Sequence, residues 1–338
     1  MKVSNNVYSL KTQYGFSLLE VFVAMTIGLV IFAGVLSVFV GLRTTTSETS
    51  SYGELQENGR FAISVLSDDL LRQDFWGDYT GSINLSNITP VPNAPVGECT
   101  VGINNGSFPL ATGHFRTLWG QTVTSASIMG GCRTDAKIGS DILQLKRVIS
   151  SPLGLVAGNT APANNYYFMS NMDTGSIFAP GDTVPDIKNA QVWEYQHHIY
   201  YIREETQGTN TVPVLMQGRL ANTLSFAPII DGIEMIRFEY GIDMQIDPTD
   251  AGYGIVDVYI PANDPVNGMT DTLWDNELNR IISVKIYVLA RGIREDNKYE
   301  NKNTYKLGAF NYVVDDNYRR LLFSSTVTLY NASMDTWN

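Results

Sequence analysis

Residues 14–34 read "YGFSLLEVFVAMTIGLVIFAG", and within that stretch the only charged side chain is Glu20. The apolar run continues to Leu42. As a helix, residues 16–42 would rise about 40 Å at 1.5 Å per residue, and a bilayer core needs about 20 apolar residues. The segment is long enough to cross a membrane. It is too long for the 7–15-residue apolar region of a secretory signal peptide, and "RTTTSETSS" at 43–51 has no small-x-small cleavage site. A carboxylate within a membrane helix costs about 2.5–3.5 kcal/mol on insertion scales. Glu20 therefore either snorkels from a helix end or has a partner.

The flanks set an orientation. The leader "MKVSNNVYSLKTQYG" carries Lys2 and Lys11 and no acid, whereas Arg43, Glu48 and Glu54 follow the run. This charge bias places the N-terminus in the cytoplasm and the bulk of the chain outside. Were the chain cut after Gly15, Phe16 would carry a new ammonium and Glu20 would be the fifth residue. It would stand at the positive end of the helix dipole, where a carboxylate is favoured. Side-chain charge would then be 21 − 34 = −13.

The stretch "GFSLLEV", with its short basic leader and long apolar run, resembles the prepilin motif of type IV pilins and type II secretion pseudopilins. The resemblance implies cleavage between Gly15 and Phe16 by a prepilin peptidase, N-methylation of Phe16, and docking of the subunit into a filament through Glu20. Ser37 stands where many major pilins carry a helix-kinking proline, and the first proline is Pro90. A kink in this helix is thus left open. Small residues recur four apart at Ala24 and Gly28, and again at Ala33, Ser37 and Gly41. That spacing suits close helix packing in a membrane or filament core, and it is also ordinary membrane-helix composition.

The helical pattern resumes in "ELQENGRFAISVLSDDLLRQDFWG" (54–77), with Leu55, Ala62, Val65, Leu66 and Leu70 on one stripe and Asp68, Asp69 and Arg72 mostly off it. One helix over about 16–76 is expected, with residues 43–76 as its amphipathic outer half and Gly77 as its stop. Gly53 and Gly59 each cost about 1 kcal/mol relative to Ala and are places for a bend. Residues 77–140 read as loops, with Pro90, Pro92, Pro95 and Pro109 among small polar residues. Cys99 and Cys132 lie there. They form either one disulfide in an oxidising compartment or two unrelated buried thiols. Paired, they would close a loop worth roughly 3–4 kcal/mol in the chain-entropy model.

Beyond residue 140 the pattern alternates. "DILQLKRVIS", "VWEYQHHIYYIRE", "VPVLMQGRL", "IEMIRFEYGID", "IISVKIYVLARG" and "RRLLFSSTVTLY" read as strands. Ile282, Val284, Ile286, Val288 and Ala290 share one face. Ile236, Phe238 and Tyr240 alternate with Arg237 and Glu239. A long helix followed by strands argues for an α+β class, here a pilin-like fold with the helix packed on a C-terminal antiparallel β-rich head at 141–338.

These pieces in their order, from "NGRFAISVLSDDLLRQDFWG" through "SDILQLKRV" and "IEMIRFEYGID" to "RRLLFSSTVTLYN", resemble the PilW family of type IV minor pilins. Residues 77–140 and 295–318 match least. The resemblance implies a low-abundance subunit that primes pilus assembly at the tip, with roles in adhesion and twitching motility. Its implied partners are other minor pilins, the major pilin, the prepilin peptidase, the inner-membrane assembly platform and a tip adhesin. Its implied location is the bacterial inner membrane, with a periplasmic head, and then the pilus. Alternatives are a J-type pseudopilin of type II secretion, and a membrane-anchored carbohydrate-binding adhesin or enzyme.

Chemistry is sparse. The chain has 338 residues and a net charge of −11, with a pI near 4.7. Without a basic cluster it is a poor nucleic-acid binder. No nucleotide, hydrolase or zinc motif is present, so neither an enzyme nor a cofactor is expected. His197 and His198 are neighbours on a strand and would point to opposite faces, which prevents joint chelation. "GIDMQIDPTDAGYG" offers Asp243, Asp247 and Asp250 as weak calcium candidates in what is more simply a solvated turn. The polar "NKYENKNTYK" (297–306) reads as a surface loop.

Overall fold

The structure, a computed structural model, describes residues 15–208, 210–245, 247, 249–250, 252–262, 268–275 and 280–331, without the side chains of 44, 45 and 47. Of the expected leader 1–15, all but Gly15 lies outside the described residues. The chain divides into two units, Met1–Tyr52 and Gly53–Asn338.

The first unit consists of the first half of α1 (Leu18–Leu71), entered through residues 15–17. The helix is continuous through Ser37 and through Gly53 and Gly59. Every described side chain from Phe16 to Leu42 is exposed, and α1 is long and apolar enough to cross a membrane. In water such a surface would be strongly unfavourable, at about 25 cal/mol per Å². Such a surface suits lipid or other helices.

The second unit opens with the outer half of α1. Leu55, Gly59, Ala62, Leu66, Asp69 and Leu70 are buried, spaced at three, four and seven residues as one helical face requires. The sequence placed Asp69 off the stripe, but the fold buries it, because at about 100° per residue its angular position lies only about 20° beyond that of Ala62, at the edge of the buried face. The helix ends at Leu71, short of Gly77. Its last turn tightens as the N–H groups of Arg72 and Gln73 bond to the carbonyls of Asp69 and Leu70. Asp74 then takes φ +61°, the left-handed geometry usual at a helix end.

The head has two main antiparallel sheets. In the larger, β2 (Asp141–Val148) pairs with β1 (Leu118–Thr122) and with the 17-residue β5 (Gln191–Gln207). The other edge of β5 carries β3 (Tyr167–Ser170) over Gln191–Glu194 and β6 (Asn210–Leu220) over His198–Gln207. β4 (Gly175–Phe178) and β7 (Leu224–Asp231) extend these two branches. The smaller sheet runs β13 (Arg320–Thr328), β10 (Arg280–Arg291), β8 (Ile233–Asp243), β9 (Val258–Pro261). A one-turn helix α2 (Asp271–Trp274) is capped by the Thr270 side chain. The span read as loop, 77–140, thus contains β1 and a single 3-10 turn at Met129–Gly131. Strand β1 is short and its Gly120 breaks the side-chain alternation. A Cβ at that glycine would collide with the Tyr240 hydroxyl.

The two sheets meet where β2 begins. The Asp141 carboxylate accepts the Phe238 backbone N–H at 2.8 Å and the Thr122 hydroxyl at 2.6 Å. Ser140 Oγ bonds the N–H and C=O of Ile236. Ile236, Phe238 and Tyr240 pack with Val284, Ile286, Val288 and Ala290 in the principal core, as the alternation predicts. The opposite face of the smaller sheet is not left to solvent. A hairpin, β11 (Thr304–Leu307) and β12 (Phe310–Val313), crosses it. Leu307 packs with Met235 and Leu289, Arg237 lies over the Phe310 ring, and the Ala309 N–H donates to Glu239. This hairpin includes part of the stretch read as a surface loop.

Candidate functional site

At the N-terminus of α1, Ser17 and Glu20 form a reciprocal capping box. Glu20 N–H donates to Ser17 Oγ at 3.2 Å, and Ser17 N–H donates to Glu20 Oε2 at 3.1 Å. The cap satisfies two donors that a helix start otherwise leaves unpaired. It also turns the Glu20 carboxylate back onto Ser17, the second residue past the expected cleavage site. The S-x-x-E signal is legible in "GFSLLE", and the sequence reading passed over it. Ala24, Gly28, Ala33, Ser37 and Gly41 all lie exposed on the same helix. At Gly28 there is open space where a side chain would begin.

The outer half of α1 is fastened to the larger sheet by charge as well as by apolar packing. Asp69 Oδ1 receives Arg147 Nε at 2.9 Å, and Asp69 Oδ2 receives His198 Nδ1 at 2.6 Å and the Tyr200 hydroxyl at 2.8 Å. An ionised carboxylate only accepts, so the imidazole proton sits on Nδ1. Burial alone would raise the Asp69 pKa. The hydrogen bonds and charge from His198 and Arg147 outweigh it and hold the carboxyl well below the usual carboxylate range.

His197, on the other face of β5, joins a separate network. Its Nε2 accepts from Gln144 at 2.8 Å and its Nδ1–H donates to Ser107 Oγ at 2.9 Å, which in turn donates to Glu98 at 3.1 Å. Burial, with the Lys146 charge added, pushes the His197 pKa well below its ordinary value, so the ring is neutral. The serine lies between acid and histidine, whereas an acyl-transfer triad needs the histidine in the middle. This chain of bonds ties the loop after Glu98 to the sheet. The two histidines therefore serve opposite faces, as strand geometry requires.

Cys99 and Cys132 are joined in a disulfide, with Cα atoms 5.3 Å apart. Of the two open readings, the structure selects pairing. Beside Cys132, Arg133 is bound to Asp135 and to the Tyr201 hydroxyl of β5, so the staple ends on the larger sheet.

The weak calcium candidates are not a shared site. Asp243 accepts the N–H groups of Gly254 and Gln245 and pairs with Arg280. Asp247 turns to the Thr249 N–H and hydroxyl. Among the described residues no group of three His, Cys, Asp or Glu side chains is placed to hold a metal ion. The oxygens of Asp243 are spent on the fold.

Neither the curated proteins nor the solved structures contain a significant match to the chain. A family model does match: residues 199–331, from within β5 to just past β13, fit the model described as Type IV Pilus-assembly protein W.

Proposed function

We propose that the chain is a minor pilin of a type IV pilus, processed by a prepilin peptidase and acting in initiation of the filament with other minor pilins at its tip. The observation that carries this reading is the first unit: a capped helix whose apolar surface from Phe16 to Leu42 is exposed and holds Glu20 as the one acid of that stretch. The family match over the head gives the reading its direction.

In this account the helix first anchors the chain in the inner membrane with the head outside. The peptidase cuts after Gly15 and methylates Phe16. The helix then leaves the bilayer for a bundle of neighbouring pilin helices. Glu20 meets a Phe16 ammonium, and that pairing sets axial register, since buried ion pairs serve specificity more reliably than net stability. The partners are the major pilin, the other minor pilins and the assembly platform.

Two experiments test it. Replacing Gly15 with a bulky residue should retain the leader, giving a band about 1.7 kDa heavier (15 of 338 residues in 37.4 kDa). Normal mobility would refute the cleavage site. Deleting the gene should remove surface pili. Intact pili with lost protein secretion would move the chain to a J-type pseudopilin.

A further inference from the structure

We infer that β13 is a docking edge, which receives an extended segment of a partner protein, apolar at alternate positions, as an added antiparallel strand. The inference uses the anchoring of α1 but not the pilin reading. It rests on the backbone of β13. The N–H of Leu329 donates to the carbonyl of Ile282, and the N–H of Gly292 donates to that of Arg319. With the register that sets Ser283 opposite Thr328 and Arg291 opposite Arg320, these bonds assign the odd-numbered residues of β13 to the hydrogen-bonded pairs with β10. The N–H and C=O groups of Leu322, Ser324, Thr326 and Thr328 therefore point away from β10. Among the described residues nothing bonds them, and all four residues are exposed. They form an open row about 20 Å long.

The edges of β4, β7 and β9 are closed. Residues 87–90 bond along β4. On β7 the Leu224 N–H donates to Val96, Pro228 has no N–H, and the Asp231 carbonyl accepts the Asn58 amide. Strand β9 is four residues long, and its Pro261 carbonyl accepts the Met269 N–H. Natural edges are usually blunted by proline, charge, a bulge or a cover. From Leu321 to Thr328, β13 has no proline, no charge and no register shift, and the Arg320 side chain is turned to Glu234 and Asp316. An edge left open in this way is a template for strand addition.

The same strand states what fits it. Leu321 and Phe323 are only partly buried against the principal core. Both would stand in the close, non-hydrogen-bonded pairs of an added strand, so apolar residues opposite them would complete their burial. Ser324, Thr326 and Thr328 favour hydroxyl or β-branched neighbours on the other face. A second copy of this chain does not fit. Phe323 lies beside Gly59 and Asn331 bonds the Gln73 carbonyl, so β13 runs in the same direction as the outer half of α1. Antiparallel pairing of two β13 strands would set their helices head to tail, which two chains anchored in one membrane cannot adopt.

The test is photocrosslinking of the full-length protein in living cells, with Leu322→p-benzoylphenylalanine and Thr328→p-benzoylphenylalanine. Both should crosslink to one segment of one partner. Peptide mapping should place the two contacts about six residues apart in reversed order, as antiparallel pairing requires. Thr326→Pro removes an outward N–H and spares the ladder to β10, a substitution that edge strands tolerate. It should lower crosslink yield about tenfold and shift the melting temperature by no more than about 3 °C. Ser324→Pro should do the same at an independent position. Ser325→Pro, which breaks the inner ladder, should lower the melting temperature by more than either. No crosslink from either probe, crosslinks to a second copy of this chain, contacts in the same chain order, or full yield in both Thr326→Pro and Ser324→Pro would overturn the assignment.

Discussion

Asp69, in the last turn of α1, lies 2.6 Å from Nδ1 of His198 in the middle of β5. This contact, with Arg147 on β2 and Tyr200 on β5, pins the helix to the sheet that forms most of the head. Removing one member of a buried pair leaves the others uncompensated and typically costs 3–5 kcal/mol. Asp69→Ala should therefore lower head stability by about that amount. Denaturant unfolding of Asp69→Ala, His198→Ala and the double variant should give strongly non-additive losses. Additive losses would mean that the two side chains act separately.

Two buried aspartates should give opposite acid responses. Asp69 is held below the ordinary carboxylate pKa, so its contribution is fully present above about pH 4 and is lost as pH falls through its native value. Asp141 is pushed up to about 6, chiefly by burial, against the opposing pull of Arg237, Thr122 and the Phe238 N–H. The unfolded chain releases this proton first, so stability falls by about 3 kcal/mol as pH rises from about 4 to 6. Asp141→Asn should remove that fall, and Asp69→Asn should flatten the loss below about pH 4. Melting curves at stepped pH check both.

Gly59 makes room for a ring. A Cβ there would stand 2.1 Å from the Phe323 side chain of β13. On helix propensity alone, Gly59→Ala should stabilise by about 1 kcal/mol. The packing reverses the sign, and the expected result is a loss of about 1–3 kcal/mol, as for overpacked cores. Thermal melts should show Gly59→Ala recovering part of its loss when Phe323 is changed to Leu.

Charge and capping at Glu20 can be separated. Glutamine fits the capping box as glutamate does, so Glu20→Gln keeps the cap and removes the charge, whereas Glu20→Ala removes both. If docking is ionic, the two variants should be cut normally and should be equally deficient in piliation by electron microscopy. Rescue by Gln would assign Glu20 to helix capping alone.

The Cys99–Cys132 bridge closes a 33-residue separation. Cys99→Ser should lower head stability by about 3–4 kcal/mol, and the loop around Ser107 should become the first site of limited proteolysis.

Apolarity made the first unit legible, because a charge-free run as long as residues 21–42 favours one long helix. Alternation made β2, β5, β6, β8, β10 and β13 legible, down to the shared face of Val284, Ile286 and Val288. The polar pin was hidden because an acid beside Leu70 reads as solvent-facing until the sheet supplies Arg147 and His198, about 78 and 129 residues away. The β11–β12 hairpin was hidden because "NKYENKNTYK" has no apolar alternation. It is held by Glu239, Arg237 and Leu307, whose partners are set by tertiary packing. The hairpin of β3 and β4 was missed for a related reason. Its turn is organised by the Asn171 side chain accepting the N–H groups of Asp173 and Thr174, and its strands are only four residues long.

The most direct test of the account is mass spectrometry of the N-terminus of the protein recovered from sheared pili. The expected peptide begins at Phe16, carries one added methyl group on its amine, and lacks residues 1–15. Recovery of a chain that still begins at Met1, and its absence from the pilus fraction, would contradict the account.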